Sequence, residues 1–325
     1  MDASELREMF MAFRDSRILL TAYELDVFTC IGRQSLDSME ISKRLKLNHR
    51  ATERLLNALV ALELLRKEKG KFTNTELSQT YLSADSPSYM AGFMHTNHLW
   101  NTWSQLTEVV KTGEAVQQVD INNRGDQWLS AFIHAMHDRG MKQAPSQVAK
   151  IDLQGVHSML DVGGGSGCYS MAFIQSKPTL KAVIFDLPNV VPISRAIVEK
   201  EGFAGQIEFC AGDYTQNELP QGYDLAFLSA IVHGNSSEIN QELIRKCYRA
   251  LNPNGQIVIQ DWIMNDDKTE PVAGAIFSIN MLVGVNDGGC YSEKEVSDWL
   301  THAGFTAIRR VRLDGGLSQM IAVKK

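Results

Sequence analysis

Asp161, Asp186, Asp213, His233 and Asp261 are the residues of this chain best placed to do chemistry, because each lies at or just past the end of a short run of strand character. The first opens a glycine-rich bend, D-V-G-G-G-S-G, from Asp161 to Gly167. Glycine tolerates left-handed backbone, so Gly163, Gly165 and Gly167 allow a tight turn and a close approach to the main chain. Such a bend running into a helix aims free N–H groups and the positive helix end at an anion, here a carboxylate. Asp186 ends the next strand, A-V-I-F-D, where an acid in an open α/β sheet reaches ribose hydroxyls. Singly, each residue has an ordinary explanation: Asp caps helices and starts turns, and a buried His is usually just hydrogen-bonded. On one rim, beside the bend, they form a set.

The bend alone leaves competing readings. A dinucleotide fingerprint, G-x-G-x-x-G, needs its third glycine at position 168, where Cys168 stands, so a nicotinamide cofactor and a purely structural turn stay open. His95 with His98, and His134 with His137, have a helical spacing that can hold a metal. No Cys or acid joins either pair at a ligand spacing, and no metal is expected.

These residues need a sheet to carry them. Beyond Met159, strands and helices alternate as a doubly wound parallel sheet requires. The pattern predicts helix 169–176, strand 182–185, helix 190–200, strands 207–210 and 223–228, helix 237–251 and strand 256–259. Helix 292–303 and strands 306–312 and 319–324 close the domain. The Asn-Pro-Asn-Gly after Leu251 reads as the turn that ends its helix.

In the first half, apolar residues recur at helical spacing from Leu6 to Ile31, among them Phe10, Phe13, Ile18, Leu19 and Phe28. Asp37 and Glu40 make a capping-box pattern for a short helix. A second helix from about His49 carries Leu55, Leu56, Leu59 and Leu62, and two extended pieces flank Gly70. Two helices followed by a β-ribbon describe a winged helix-turn-helix. That unit most often reads DNA, but its second helix offers Arg50 and Arg54 together with Glu53 and many apolar side chains. A dimer interface suits it better. Residues 87–113 then gather Met90, Phe93, Met94, His95, His98, Trp100 and Trp103, a mixture that lines a pocket as readily as it fills a core. A helical run over 126–150 follows, with a domain change expected near residue 150.

With 325 residues, 44% hydrophobic and 22% charged, the chain suits two domains with cores of their own. The formal charge of −6 argues against nucleic acid or an anionic membrane as partners. The N-terminal M-D-A-S-E-L-R-E lacks the apolar stretch of a signal peptide, and the five cysteines are scattered without a C-x-x-C pair. A cytoplasmic protein is expected.

On these residues the chain resembles the S-adenosylmethionine-dependent small-molecule O-methyltransferases of the caffeic acid, hydroxyindole and polyketide-tailoring type, in their bacterial form. The likeness is carried by L-D-V-G-G-G-S-G, F-D-L-P, A-G-D-Y, the strand ending I-V-H and its later partner I-V-I-Q-D-W. It extends to A-T-E-R-L-L-N-A-L-V-A-L near the N-terminus and G-G-C-Y-S-E-K-E-V near the C-terminus. The resemblance implies a Rossmann-like α/β catalytic domain over 151–325 and a winged-helix dimerisation and substrate-lid domain over 1–150, assembled as a homodimer. It implies that Asp161, Gly163 and Gly165 hold the amino-acid end of S-adenosylmethionine, and that Asp186 with Leu187 holds the ribose. Asp213 and Tyr214 would flank the adenine, and Met136 would lie beside the methionine portion. Ser229 stands where relatives often have a Lys that meets the cofactor through its backbone carbonyl. His233 matches the catalytic base, and Asp261 the acid that orients it. The expected acceptor wall is Phe93, His95, His98, Trp100, Trp103, Trp262, Asn280 and Met281.

Two departures bear on the chemistry. Family members commonly follow the catalytic His with D-W-S-D, whereas this chain has Gly234-Asn-Ser-Ser, and the acid of a G-G-x-E-R segment is absent from Gly289-Cys290-Tyr291-Ser292. The expected reaction is methyl transfer to a hydroxyl, phenolic by expectation. A phenol of pKa about 10 is mostly protonated at neutral pH, so a His that takes its proton helps. S- or N-methylation, a non-methylating reaction on the same cofactor, and a winged-helix DNA-binding regulator are the alternatives.

Overall fold

Asp37 caps its helix as the spacing demands: its carboxylate accepts from the Glu40 N–H at 2.8 Å, and Glu40 reaches back to the Asp37 N–H at 3.1 Å. The computed structural model describes residues 2–90, 92–115 and 125–325, and divides into two compact units, Met1–Trp100 and Asn101–Lys325. Among the described residues no helix is long and apolar enough to cross a membrane.

In the N-terminal unit, helices Ser38–Arg44 and His49–Ala61 precede a ribbon of β2 (Leu65–Glu68) and β3 (Lys71–Asn74), which β1 (Leu36–Asp37) joins in the order β1-β3-β2. This is the winged helix read from the sequence. Its core holds Phe28, Ile31, Ile41, Leu56, Leu59 and Phe72, all essentially out of water. The run from Leu6 to Ile31 is three helices, Ala3–Met11, Phe13–Glu24 and Val27–Ile31. The last break falls at Asp26, whose left-handed φ of 57° no α-helix continues through. Leu6, Met9, Phe10, Met11 and Phe13 are exposed.

The C-terminal unit is built on β4 (Ser158–Val162), β5 (Lys181–Asp186), β6 (Ile207–Ala211), β7 (Tyr223–Ser229), β8 (Leu251–Asp261), β9 (Phe305–Arg312) and β10 (Ser318–Lys324). They form one sheet in the order β6-β5-β4-β7-β8-β10-β9, parallel through β8, with β10 antiparallel to both β8 and β9. Two apolar clusters cover its faces. One gathers Leu160, Ala226, Ile257, Leu243 and Leu300, the other Met159, Phe173, Ile184, Phe227 and Val258. Strand neighbours alternate between the clusters, as the two-residue period of a sheet requires.

Two expectations shift. The expected division near residue 150 falls at Trp100, because helix Asp126–Val148 buries Ala144 and Val148 in the cluster of Met159, Met171 and Phe173. That helix therefore belongs to the C-terminal unit. Residues Leu251 to Gly255 were expected to end a helix and turn, yet they begin β8. Asn254 takes a left-handed φ of 65° and the register against β7 slips between Tyr223 and Leu225, so the turn residues are absorbed as a bulge. Helix Val272–Gly284 has no counterpart in the sequence reading. It is apolar on nearly every side, and without a polar face it shows no helical period.

Candidate active site

Strand order sets the site. Along β6-β5-β4-β7-β8 the carboxyl ends present, in turn, Asp213, Asp186, the glycine bend, His233 and Asp261. The winding reverses between β4 and β7, the place where an open sheet leaves a crevice for ligands.

The bend is packed against its neighbours at Gly163 and Gly167 and open at Gly165. Gly163, Gly165 and Gly167 have φ of 67°, 54° and 77°. A Cβ at Gly167 would lie 2.8 Å from Ile184 Cδ1, and one at Gly163 would strike Ile231. At Gly165 it would meet only Ile133 Cδ1, at 3.9 Å, so here the backbone faces space. Asp186 locks the bend: its carboxylate accepts from the N–H of Gly165 at 2.8 Å and of Leu187 at 2.7 Å. Burial raises its pKa against the pull of those two donors. Nearby Asn189 Oδ1 is buried without a hydrogen-bond partner, an acceptor that a bound hydroxyl would satisfy.

Asp161 is placed differently from its expected role. It is 3% exposed, its carboxylate accepts from Ser170 Oγ at 2.7 Å, and its Cγ would lie 2.8 Å from a Cβ at Gly164. The side chain lies under the bend and supports it. Burial pushes its carboxyl up to about 7, with the charge of Asp186 adding to the rise and the Ser170 hydroxyl opposing it. A carboxyl whose folded pKa exceeds its unfolded value near 3.8 binds more protons when folded. Its contribution to stability is then fullest below that value and is lost as pH rises to about 7. The cofactor-free Asp161→Asn variant is expected to show a higher Tm than wild type at pH 8 and a flatter profile between. Thermal melts across that range check it. A variant that melts lower at pH 8 contradicts it.

Asp213 spends one oxygen on its own turn, accepting from Thr215 N at 2.8 Å and Oγ1 at 2.7 Å. Tyr214 donates to Asn235 Oδ1 at 3.0 Å. Ser229, the last residue of β7, accepts from Gln260 Nε2 at 3.1 Å. Leu187 joins an apolar cluster with Leu129, Ile133, Val190 and Ile197. Met136 is half-buried, one turn along its helix from the Ile133 that faces Gly165.

His233 sits in a short 3-10 turn, Val232–Gly234, after β7, with 15% of its side chain exposed. Its Nδ1 lies 2.8 and 3.0 Å from the two oxygens of Asp261, the last residue of β8, which is 1% exposed. That carboxylate also accepts from the N–H of Trp262 at 2.9 Å and of His233 at 3.3 Å. The carboxylate assigns the proton to Nδ1 and leaves Nε2 as the basic nitrogen.

Aromatic rings wall the imidazole. Phe277 meets it edge-on at 4.8 Å, Trp262 lies at 5.9 Å, and these two stack at 3.8 Å. Trp103 donates to Asn280 at 2.9 Å on the helix that also carries Met281. Four of the expected wall residues, Phe93, His95, His98 and Trp100, belong to the N-terminal unit. There Phe93 packs edge-on to Tyr23 at 6.0 Å, and Trp100 lies under the Arg17 guanidinium at 5.4 Å. Phe277 escaped the sequence reading, which named Asn280 and Met281 of the same segment but no helix to carry them. Among the described residues no group of three His, Cys, Asp or Glu side chains is gathered to hold a metal. His134 is occupied by the Ser130 carbonyl at 2.8 Å.

Comparison with known proteins decides the family. A model of the O-methyltransferase domain matches residues 103–306, and one of the O-methyltransferase dimerisation domain matches residues 7–84. The chain belongs to the O-methyltransferase family. It is 31% identical over 303 residues to 3-hydroxy-5-methyl-1-naphthoate 3-O-methyltransferase of Streptomyces sahachiroi, spanning 91% of this chain and 88% of that one. It is 28% identical to the tetracenomycin polyketide synthesis 8-O-methyl transferase TcmO of Streptomyces glaucescens, across 96% of this chain and 94% of that one. A structure of PigF with SAH shares the fold over the whole of both chains, with a TM-score of 0.90 at 24% identity. The protein is an S-adenosylmethionine-dependent O-methyltransferase acting on a small molecule. The rim suits that cofactor: an open glycine bend, a carboxylate at the second strand end and an unsatisfied buried acceptor beside it.

Proposed function

We propose that this O-methyltransferase methylates a phenolic hydroxyl of an aromatic acceptor, with His233 as general base and Asp261 holding its tautomer. One observation carries the reading: both oxygens of a buried carboxylate engage Nδ1, which leaves Nε2 as the acceptor beside two aromatic rings. As the acceptor oxygen bonds to carbon, its proton passes to Nε2, and the Asp261 carboxylate stabilises the imidazolium. Trp262, Phe277, Trp103, Asn280 and Met281 hold a flat ring and exclude water around it. S-adenosylmethionine, when bound, supplies a methyl group already activated on a sulfonium. Gly165 and the residues around it would receive its amino-acid end, Asp186 with Leu187 its ribose, and Asp213 with Tyr214 its adenine. Met136 and Ser229 would flank its methionine portion. The naphthoate-methylating relative, whose name places its methyl on a ring oxygen, supports an aromatic acceptor.

Transfer from methyl-labelled S-adenosylmethionine to a set of hydroxynaphthoates and other phenols tests this. Label on oxygen, with one S-adenosylhomocysteine per methyl ether, is expected. Label on nitrogen or sulfur only, or product without S-adenosylhomocysteine, refutes it.

The same reading makes the protein a cytoplasmic homodimer joined through the N-terminal unit, supported by the dimerisation-domain match and by Phe10 and Met9, which are 71% and 61% exposed. Phe10→Asp is expected to shift the protein from twice the chain mass to the chain mass in light scattering. A wild type that runs at the chain mass contradicts the assembly.

A further inference from the structure

The sequence departs from its family directly after the catalytic His, at Gly234-Asn235, and the structure shows what stands there instead. Asn235 is buried and fully engaged. Its Oδ1 accepts from the Tyr214 hydroxyl at 3.0 Å, its Nδ2 donates to Asn240 Oδ1 at 3.1 Å, and its carbonyl accepts from the Tyr291 hydroxyl. Asn240, wholly buried, passes the chain on by donating to the Val232 carbonyl at 2.8 Å. Every amide in this series has a fixed sense, because the Tyr214 hydroxyl donates at one end and a carbonyl accepts at the other. The chain thus ends on the residue before His233. Three further bonds hold its ends: buried Lys246 donates to the carbonyls of Tyr214 and Asn217 at 2.7 and 2.8 Å, and the Gly289 N–H donates to the His233 carbonyl at 2.8 Å.

We infer that Asn235 is a positioning residue that ties the His233 turn to the Tyr214 loop, so that occupancy of the adenine end of the cofactor site sets the imidazole for proton transfer. The inference rests on the reading above that Asp213 and Tyr214 flank the adenine. The coupling takes the place of the acidic and aromatic residues the family commonly has after its His. It acts through backbone, so it changes the placement of Nε2 without touching acceptor or methyl group.

The test pairs Asn235→Leu, close in shape but unable to relay hydrogen bonds, with Tyr214→Phe, which removes one hydroxyl. Asn235→Leu is expected to lower kcat by about 10- to 100-fold, as a small misplacement of a reacting group does. The acceptor KM and S-adenosylhomocysteine affinity should stay within about threefold. Tyr214→Phe should lower kcat less, and the double variant should fall no further than Asn235→Leu alone. Unchanged kcat in both, or losses that multiply, overturns the inference. If Asn235→Leu does not fold, Tyr214→Phe decides in the same terms. A second readout needs no acceptor: adenosine added to protein labelled with 15N-histidine should shift the His233 ring resonances in wild type and not in the variants. A shift that persists in both variants, or is missing from wild type, overturns the inference. Absence of any methylated product from wild type counts against the proposed function instead.

Discussion

Replacing His233 by alanine is expected to lower kcat by about 10²- to 10⁴-fold, the span that positioned general-base catalysis commonly supplies. Binding of S-adenosylhomocysteine should change little, because most of the residues proposed to hold it follow β4, β5 and β6, across the winding reversal from the His233 turn after β7. The size of the loss follows from the acceptor. A phenol of pKa about 10 leaves on the order of one molecule in a thousand ionised at pH 7, and the imidazole makes up that deficit at the moment of transfer. Alanine also removes the ring that Phe277 and Trp262 pack against, so acceptor KM should rise modestly. Steady-state kinetics with calorimetry of S-adenosylhomocysteine separates the two effects. A kcat equal to that of wild type removes His233 from the mechanism.

Asp261→Asn should cost nearly as much, about 10²- to 10⁴-fold in kcat, although it removes no atom that touches the acceptor. Everything facing this carboxylate is a donor: the Nδ1–H of His233, the N–H of His233 and the N–H of Trp262. An asparagine turns one of the two acceptors into an NH2 group. Either a buried main-chain N–H then loses its partner, or Nδ1 becomes the acceptor and the proton moves to Nε2, where it blocks the base. Nothing nearby compensates. Cys290, in the segment from which the G-G-x-E-R acid is absent, has a thiol pushed up to about 12 by burial and by the Asp261 charge, so it stays neutral. The variant should retain its fold and cofactor affinity while kcat falls. A rate matching wild type contradicts the role given to Asp261.

The sequence made the rim legible because the parallel strands are short apolar runs that stop at polar residues, and because four glycines in five positions rarely serve another purpose. Asp186, His233 and Asp261 stand where that pattern puts them, as do the capped helix at Asp37 and the ribbon around Gly70. Other features depend on packing that no period encodes. Asp161 reads like a ligand-binding acid, yet Ser170 and the underside of Gly164 claim it. Helix Val272–Gly284 is apolar on nearly every side, so although Asn280 and Met281 were expected in the wall, the place of Phe277 beside the imidazole emerges only in three dimensions. The Asn-Pro-Asn-Gly bulge shows turn residues drawn into a strand by pairing with β7. Asn235 read as a gap in a motif, and its meaning lies in Asn240 and in Tyr214 and Tyr291, the last two distant in sequence.

Two accepted phenols of similar shape but different acidity, compared in wild type and His233→Ala, test the central assignment most directly. A base is needed only where the hydroxyl is protonated. The variant should therefore lose about 10²-fold or more on the phenol of pKa about 10, and fall within about tenfold of wild type on one already ionised at pH 8. Equal losses on both would show that His233 shapes the site and removes no proton.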